Sequence, residues 1–144
     1  IMPVGPHKGE LSKKEKEENI KTVHSAWKLS AEHIGHSLRN GIYQGWDLHP
    51  AQLPIRYASL YSFFLSSLDQ ATARLKKFMD SAAKATLTDD VFDDAATGQG
   101  LLNYFLRAQN CGAITSEEIQ AAGLTLEEIK LRSFAKILKR RKSI

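Results

Sequence analysis

Cysteine is nearly absent from this sequence: Cys111 is the single one in 144 residues, so no internal disulfide can form, which suits a reducing compartment. It stands between Asn110 and Gly112 at an expected helix end. With no activating partner in view, it reads as a small packed or capping-region side chain rather than a nucleophile. No amino-terminal apolar run flanked by basic residues is present, nor any stretch of about 18 apolar residues. A secretory leader and a membrane span are therefore not expected, and the chain is read as cytoplasmic. Gly98-Gln99-Gly100 lacks the third glycine and the preceding strand that a dinucleotide fingerprint needs. No internal repeat or low-complexity tract is evident, and an apolar fraction of 42% fits a globular chain.

What is present is mostly helix. Residues 11–40 predict one long helix, with Ser12 as N-cap, Glu15 completing a capping box and Gly41 ending it. Ile20, Val23, Trp27, Ala31, Ile34 and Leu38 recur at three and four residues, a single stripe that has to pack on something. Residues 54–84 predict a second long helix whose Tyr57, Leu60, Tyr61, Phe64, Leu65, Leu68, Leu75, Phe78 and Met79 read as core. After a polar loop at 86–90, Asp94 is placed to cap a third helix reaching Gln109, with Leu101, Leu102, Phe105 and Leu106 buried and Gly98 and Gly100 weakening its start. Two more capping boxes, Thr115 with Glu118 and Thr125 with Glu128, predict a short helix stopping near Gly123 and a longer one running to Lys139.

Between the first two helices lies YQGWDLHPAQLP, Tyr43 to Pro54. Ile42, Tyr43, Trp46 and Leu48 suit a short buried strand, while Pro50 and Pro54 stop pairing beyond it and Pro54 favours a helix start. An indole, a carboxylate, an imidazole and a carboxamide then emerge where a strand gives way to a helix, the place where α/β enzymes put their chemistry. Asp47 is placed to orient His49 or a water, His49 to exchange a proton near neutral pH, and Gln52 to bond a substrate carbonyl or cap the following helix, with Trp46 as a wall. The residues leave a second reading open: His49-Pro50 is only a turn, with Asp47 and Gln52 satisfying backbone groups.

The element His49-Pro50-Ala51-Gln52 resembles the His-Pro-x-Gln of the HpcH/HpaI aldolase and citrate lyase beta-subunit superfamily, and GWDLHPAQLP with Arg56 and Tyr57 looks like its aldolase/citrate-lyase-like branch. The likeness takes in Pro3 to His7, the helix around Trp27 and the neighbourhoods of Asp94 and Cys111, nearly the whole chain. Citrate-lyase-type members have a Gly-Lys pair a few residues before their His-Pro, whereas this chain has Gly45-Trp46 with a shorter gap, so a substrate or coenzyme A contact is not carried over at that point. The resemblance implies a (β/α)8 TIM barrel. Since such a barrel takes about 250 residues, a chain of 144 residues reads as its carboxyl-terminal fragment with a helical tail, mainly α as it stands. Residues 1–84 would hold a loop, a helix, one late strand and its return helix, and residues 85–144 the tail.

The implied activity is that of a metal-dependent carbon–carbon lyase or aldolase acting on 2-oxo acids or acyl-CoA thioesters. Its site rim would be built from catalytic His49 and Asp47 and substrate-binding Trp46 and Gln52. A divalent metal, magnesium by resemblance, would be held by ligands outside this chain, so that the parent protein is an enzyme and these residues alone are inactive. A homo-oligomer is also implied, with no membrane partner.

Two rivals come from the residues themselves. One is a helical protein-interaction module. The other is a small helix-turn-helix DNA-binding protein, since the last two helices carry Lys130, Arg132, Lys136, Lys139, Arg140, Arg141 and Lys142. Against nucleic acid, Glu127 and Glu128 occupy the base-reading start, and basic residues in a last turn complement the helix dipole unaided. His33 and His36 are three apart on the first helix but lack a third ligand, and read as a solvated pair. His24 and His7 offer no metal spacing.

Overall fold

The computed structural model describes residues 5, 9–43, 45–87 and 95–142. Pro3, His7, the cap expected at Asp94 and most of the 86–90 loop lie outside them. The helices are α1 (Lys13–Arg39), α2 (Leu53–Leu87), α3 (Ala95–Asn110), α4 (Ser116–Ala121), α5 (Leu126–Lys130) and α6 (Phe134–Lys142), with a 3-10 turn at Pro50–Gln52. The chain divides into two compact units, Ile1–Leu60 and Tyr61–Ile144.

In the first unit α1 begins as its local chemistry dictates. The Glu15 N–H donates to Ser12 Oγ at 3.3 Å while the Ser12 N–H donates to Glu15 Oε2 at 2.8 Å, a complete capping box. The helix ends in a Schellman arrangement: Gly41 sits at φ +74°, its N–H donates to Leu38 O, and the Ile42 N–H donates to Ser37 O. The α1 stripe is covered progressively toward its end, with Val23, Trp27 and Ala31 half-buried. Ile34 and Leu38 are buried, whereas Ile20 is 55% and Leu29 53% exposed.

The expected carboxyl-terminal fragment of a TIM barrel is overturned here. No strand occurs among the described residues, and the predicted buried strand of Ile42, Tyr43, Trp46 and Leu48 is an irregular connection. Trp46 is 85% and Leu48 83% exposed. A strand is stabilised by a laddered neighbour that takes its N–H and C=O groups, and this stretch has none. Its ends are held locally instead: the Ile42 N–H donates to Ser37 O, and the Leu48 N–H donates to Gln52 Oε1.

In the second unit the later part of α2 packs with α3 to α6 around Phe64, Leu75, Leu102, Phe105, Ile119, Leu124, Phe134 and Ile137, each less than 2% exposed. Burial of this apolar area drives the assembly of short helices that would not persist in isolation. The aromatic stripe expected to be core along α2 is split: Phe64, Leu75 and Met79 are buried, but Tyr57, Tyr61 and Leu65 remain exposed. Their spacing of four residues turns them to the solvent side of the helix.

The reading of no internal repeat also needs correction. Ile114-Thr-Ser-Glu-Glu-Ile119 recurs ten residues on as Leu124-Thr-Leu-Glu-Glu-Ile129, and both copies fold alike. Thr115 and Thr125 are the N-caps of α4 and α5, Glu118 and Glu128 close the two capping boxes, and all four apolar ends are buried. The long final helix predicted from Thr125 to Lys139 is broken into α5 and α6. Arg132 adopts a left-handed φ of +52°, which ends the helical hydrogen-bond run. Gln99 of α3 holds the break, donating to Arg132 O at 3.2 Å and accepting from the Phe134 N–H at 2.9 Å.

Candidate functional site

The chemistry-bearing residues between α1 and α2 form a hydrogen-bonded turn. Pro50 fixes φ at the first position of the 3-10 turn, which leaves His49 as its N-cap. The Ala51 N–H donates to His49 Nδ1 at 3.1 Å. Gln52 reaches back, and its Oε1 accepts from the Leu48 N–H at 2.7 Å and the His49 N–H at 3.1 Å. The turn is tied to α1 by the Trp27 indole, whose Nε1–H donates to Ala51 O at 3.2 Å, with His24 stacked on the same indole at 6.1 Å between ring centroids.

These bonds assign roles to individual atoms. Because His49 Nδ1 accepts from a backbone amide, the neutral ring carries its proton on Nε2. Because Gln52 Oε1 accepts twice, its NH2 group is the end left for another partner. Among the described residues neither His49 Nε2 nor the Gln52 NH2 group has a partner, and His49 is exposed.

Asp47 does not orient His49. Arg56, on the first turns of α2, donates from Nε to Oδ1 and Oδ2, both at 3.2 Å, and its Nη2 lies 3.2 Å from Oδ1. The two side chains are 15% and 14% exposed, so the pair is shielded enough for its attraction to exceed that of a surface ion pair. Trp46, expected as a wall, stands out into solvent. The sequence therefore brings Gln52 and His49 together and places Asp47 on Arg56, a residue whose role the sequence reading missed. No spacing rule points to it, because the contact joins residues 9 apart.

Metal chemistry finds no seat here. Among the described residues no three His, Cys, Asp or Glu side chains are grouped to hold an ion, and the carboxylate of Asp47 is already engaged by a guanidinium. The described residues hold no ligand set for a divalent ion, and the resemblance puts the implied magnesium on ligands outside this chain. His36 lies against Asn40, with 3.5 Å between His36 Nε2 and Asn40 Nδ2.

The basic carboxyl-terminal helix is also engaged. Arg140 pairs with Glu127, and Arg141 pairs with Glu128 and donates to Gly123 O at 2.7 Å. The side chain of Glu128 is only 8% exposed. The Arg141 hydrogen bond holds its carboxyl below the usual carboxylate range against the opposing effect of burial, with the Thr125 N–H assisting. The same contact raises Arg141.

A family model described as Domain of unknown function (DUF6986) matches residues 1–137. The chain belongs to this family. No curated protein and no solved structure matches it. In this DUF6986 member the match runs through the whole Asp47–Gln52 turn and both capping-box repeats. Among the described residues no helix is long and apolar enough to cross a membrane.

Proposed function

We propose that this chain is the helical part of a larger carbon–carbon lyase or aldolase of the HpcH/HpaI and citrate lyase type, acting on 2-oxo acids or acyl-CoA thioesters, and that the turn at 45–52 forms an edge of its substrate site. The observation that carries the reading is the division of labour within the turn. Backbone amides consume His49 Nδ1 and Gln52 Oε1, which orients both side chains and leaves an imidazole N–H and a carboxamide NH2 as donors. Two such donors suit the carboxylate and carbonyl oxygens of a 2-oxo acid, and an N–H directed at an oxygen that gains charge during cleavage or condensation lowers the barrier. Asp47 and Arg56 act as positioning residues that fix the turn against α2. Trp46 offers an apolar face to the substrate body.

The exposed apolar residues of the first unit support a larger assembly. Ile42, Trp46, Leu48 and Leu53 are each at least 42% exposed, and large apolar side chains left open close together in sequence suit a surface that another body covers. On this reading they face the catalytic body of the enzyme, a homo-oligomer that supplies the divalent metal site. The DNA-binding alternative loses ground because Arg140 and Arg141 are bound to glutamates.

Turnover assays of the full-length protein with a panel of 2-oxo acids and acyl-CoA thioesters, with and without magnesium, test the proposal. Metal-dependent carbon–carbon cleavage or condensation that falls in the His49→Ala variant is expected. Absence of turnover across both substrate classes, or turnover indifferent to His49, would sink it.

A further inference from the structure

The second unit carries a cavity of about 300 Å³ between α2 and α3, lined by Arg74, Lys77, Phe78, Ser81, Thr97 and Leu101. We propose that it binds a small amphipathic anion, an oxyanion head group on a short hydrocarbon body. The α2 residues fall at positions i, i+3, i+4 and i+7, so they line one face over two turns. Thr97 and Leu101 are four apart and do the same on α3. From Arg74 to Ser81 the axial distance is roughly 10 Å at 1.5 Å per residue. Along this length the chemistry changes in order: two cations, then the ring of Phe78, then a hydroxyl. Ser81 donates its own proton to Lys77 O at 2.9 Å, which leaves its oxygen only an acceptor role toward a ligand.

Charge identifies the head group. The other arginine side chains described above, Arg56, Arg140 and Arg141, hold carboxylates. Arg74 and Lys77 have no carboxylate partner among the described residues, yet they stand three residues apart at the edge of an apolar cavity. Two cations beside a low-dielectric surface attract an oxyanion more strongly than two cations in bulk water. The floor of Phe78 and Leu101 gains from covering a hydrocarbon body, and the volume matches the lower end of small-molecule sites. A carboxylate and a phosphate monoester share the required head group, and both are tested.

The experiment is amide-resolved NMR titration of the full chain with hexanoate, hexyl phosphate, 1-hexanol and inorganic phosphate. Hexanoate or hexyl phosphate is expected to shift the amides of residues 74–81 and 97–101 saturably, with 1-hexanol and inorganic phosphate at least tenfold weaker. Joint substitution R74Q and K77Q is expected to weaken binding at least tenfold. Lys76→Gln, which removes a charge from α2 outside the cavity lining, is expected to leave it unchanged. Both changes are on exposed positions, and Arg74→Lys, which keeps the charge, should retain most of the affinity. The proposal is overturned if no probe saturates, if 1-hexanol or inorganic phosphate binds as tightly as hexanoate, or if Lys76→Gln matches the double variant. Shifts of the same amides on concentrating the protein alone would assign the groove to a second copy and overturn it equally.

Discussion

Gly98 lies under the ring of Phe134: a side-chain carbon there would collide with that ring and would stand 2.7 Å from Phe78 Cε1. The rings of Phe78 and Phe134 are 5.4 Å apart at 59°, so the glycine lets α3 approach an aromatic pair brought in by α2 and α6. Read as sequence, the same residue only weakens a helix start. Gly98→Ala is expected to destabilise the chain by about 1–3 kcal/mol through overpacking. Gly100, two residues on, has open space around it, and Gly100→Ala is expected to stabilise by about 0.5–1 kcal/mol through helix propensity. Urea denaturation midpoints that move in the same direction for both variants would contradict this arrangement.

The Glu128–Arg141 pair makes stability depend on acid. Because the folded carboxyl sits below its ordinary value of 4.5, the pair's contribution is complete above about that pH and is lost as pH falls through the lower folded value. Glu128→Gln keeps the shape and a hydrogen-bond acceptor but removes the charge. At pH 7 it is expected to cost about 1–2 kcal/mol, discounted for the partly exposed arginine. Denaturation midpoints followed from pH 7 to pH 3 should then show wild type and variant converging below pH ~4.5. A gap that stays constant across that range would reject the linkage.

Gln99 bridges the break between α5 and α6 with one donor and one acceptor. Gln99→Ala leaves the Phe134 N–H, part of a buried residue, without its partner and is expected to cost about 1–3 kcal/mol. Gln99→Glu retains the acceptor and should cost less. Arg132→Gly, at the left-handed position, is expected to gain about 0.5–1 kcal/mol by removing backbone strain. Thermal melts of the three variants check the order; an Arg132→Gly variant below wild type would show that the arginine side chain holds the turn.

At the proposed site, stability and turnover should separate. His49→Ala removes the acceptor for the Ala51 N–H and is expected to cost about 1 kcal/mol, as for the loss of an N-cap. If the lyase proposal holds, the same substitution should also lower kcat by on the order of 100-fold, the effect of losing one donor to developing charge. Gln52→Glu keeps the oxygen that holds the Leu48 and His49 amides but replaces the free NH2 with negative charge. It should leave Tm nearly unchanged and raise KM for an anionic substrate. Steady-state kinetics beside melting curves decide the matter: a lowered Tm with unchanged kinetics for both variants assigns the turn to structure alone.

The three capping boxes at Ser12, Thr115 and Thr125 were legible in the sequence because each joins residues three apart, a distance fixed by helix geometry itself. Gln52 bonding the amides of Leu48 and His49 belongs to the same class, and its capping role was one of two readings open from the residues. The strand at Ile42–Leu48 misled because apolar and aromatic residues between turns satisfy a local pattern for a strand, whereas a strand exists only where a neighbour pairs with it. Arg56 on Asp47, Arg141 on Glu128 and Gln99 on Arg132 were not legible. Their partners lie 9, 13 and 33 residues away, and nothing in spacing selects one cation or amide among many.

By itself, then, the sequence determined where α1, α4 and α5 start, which residues cap them, and that His49 and Gln52 share one turn, because hydrogen bonds over three or four residues depend on local order alone. Tertiary structure decided which faces found cover, why α5 and α6 separate, which carboxylates are paired and where a cavity remains. Those outcomes follow from the packing of Phe78, Phe105, Phe134 and their neighbours, whose burial from distant parts of the chain fixes which side chains meet.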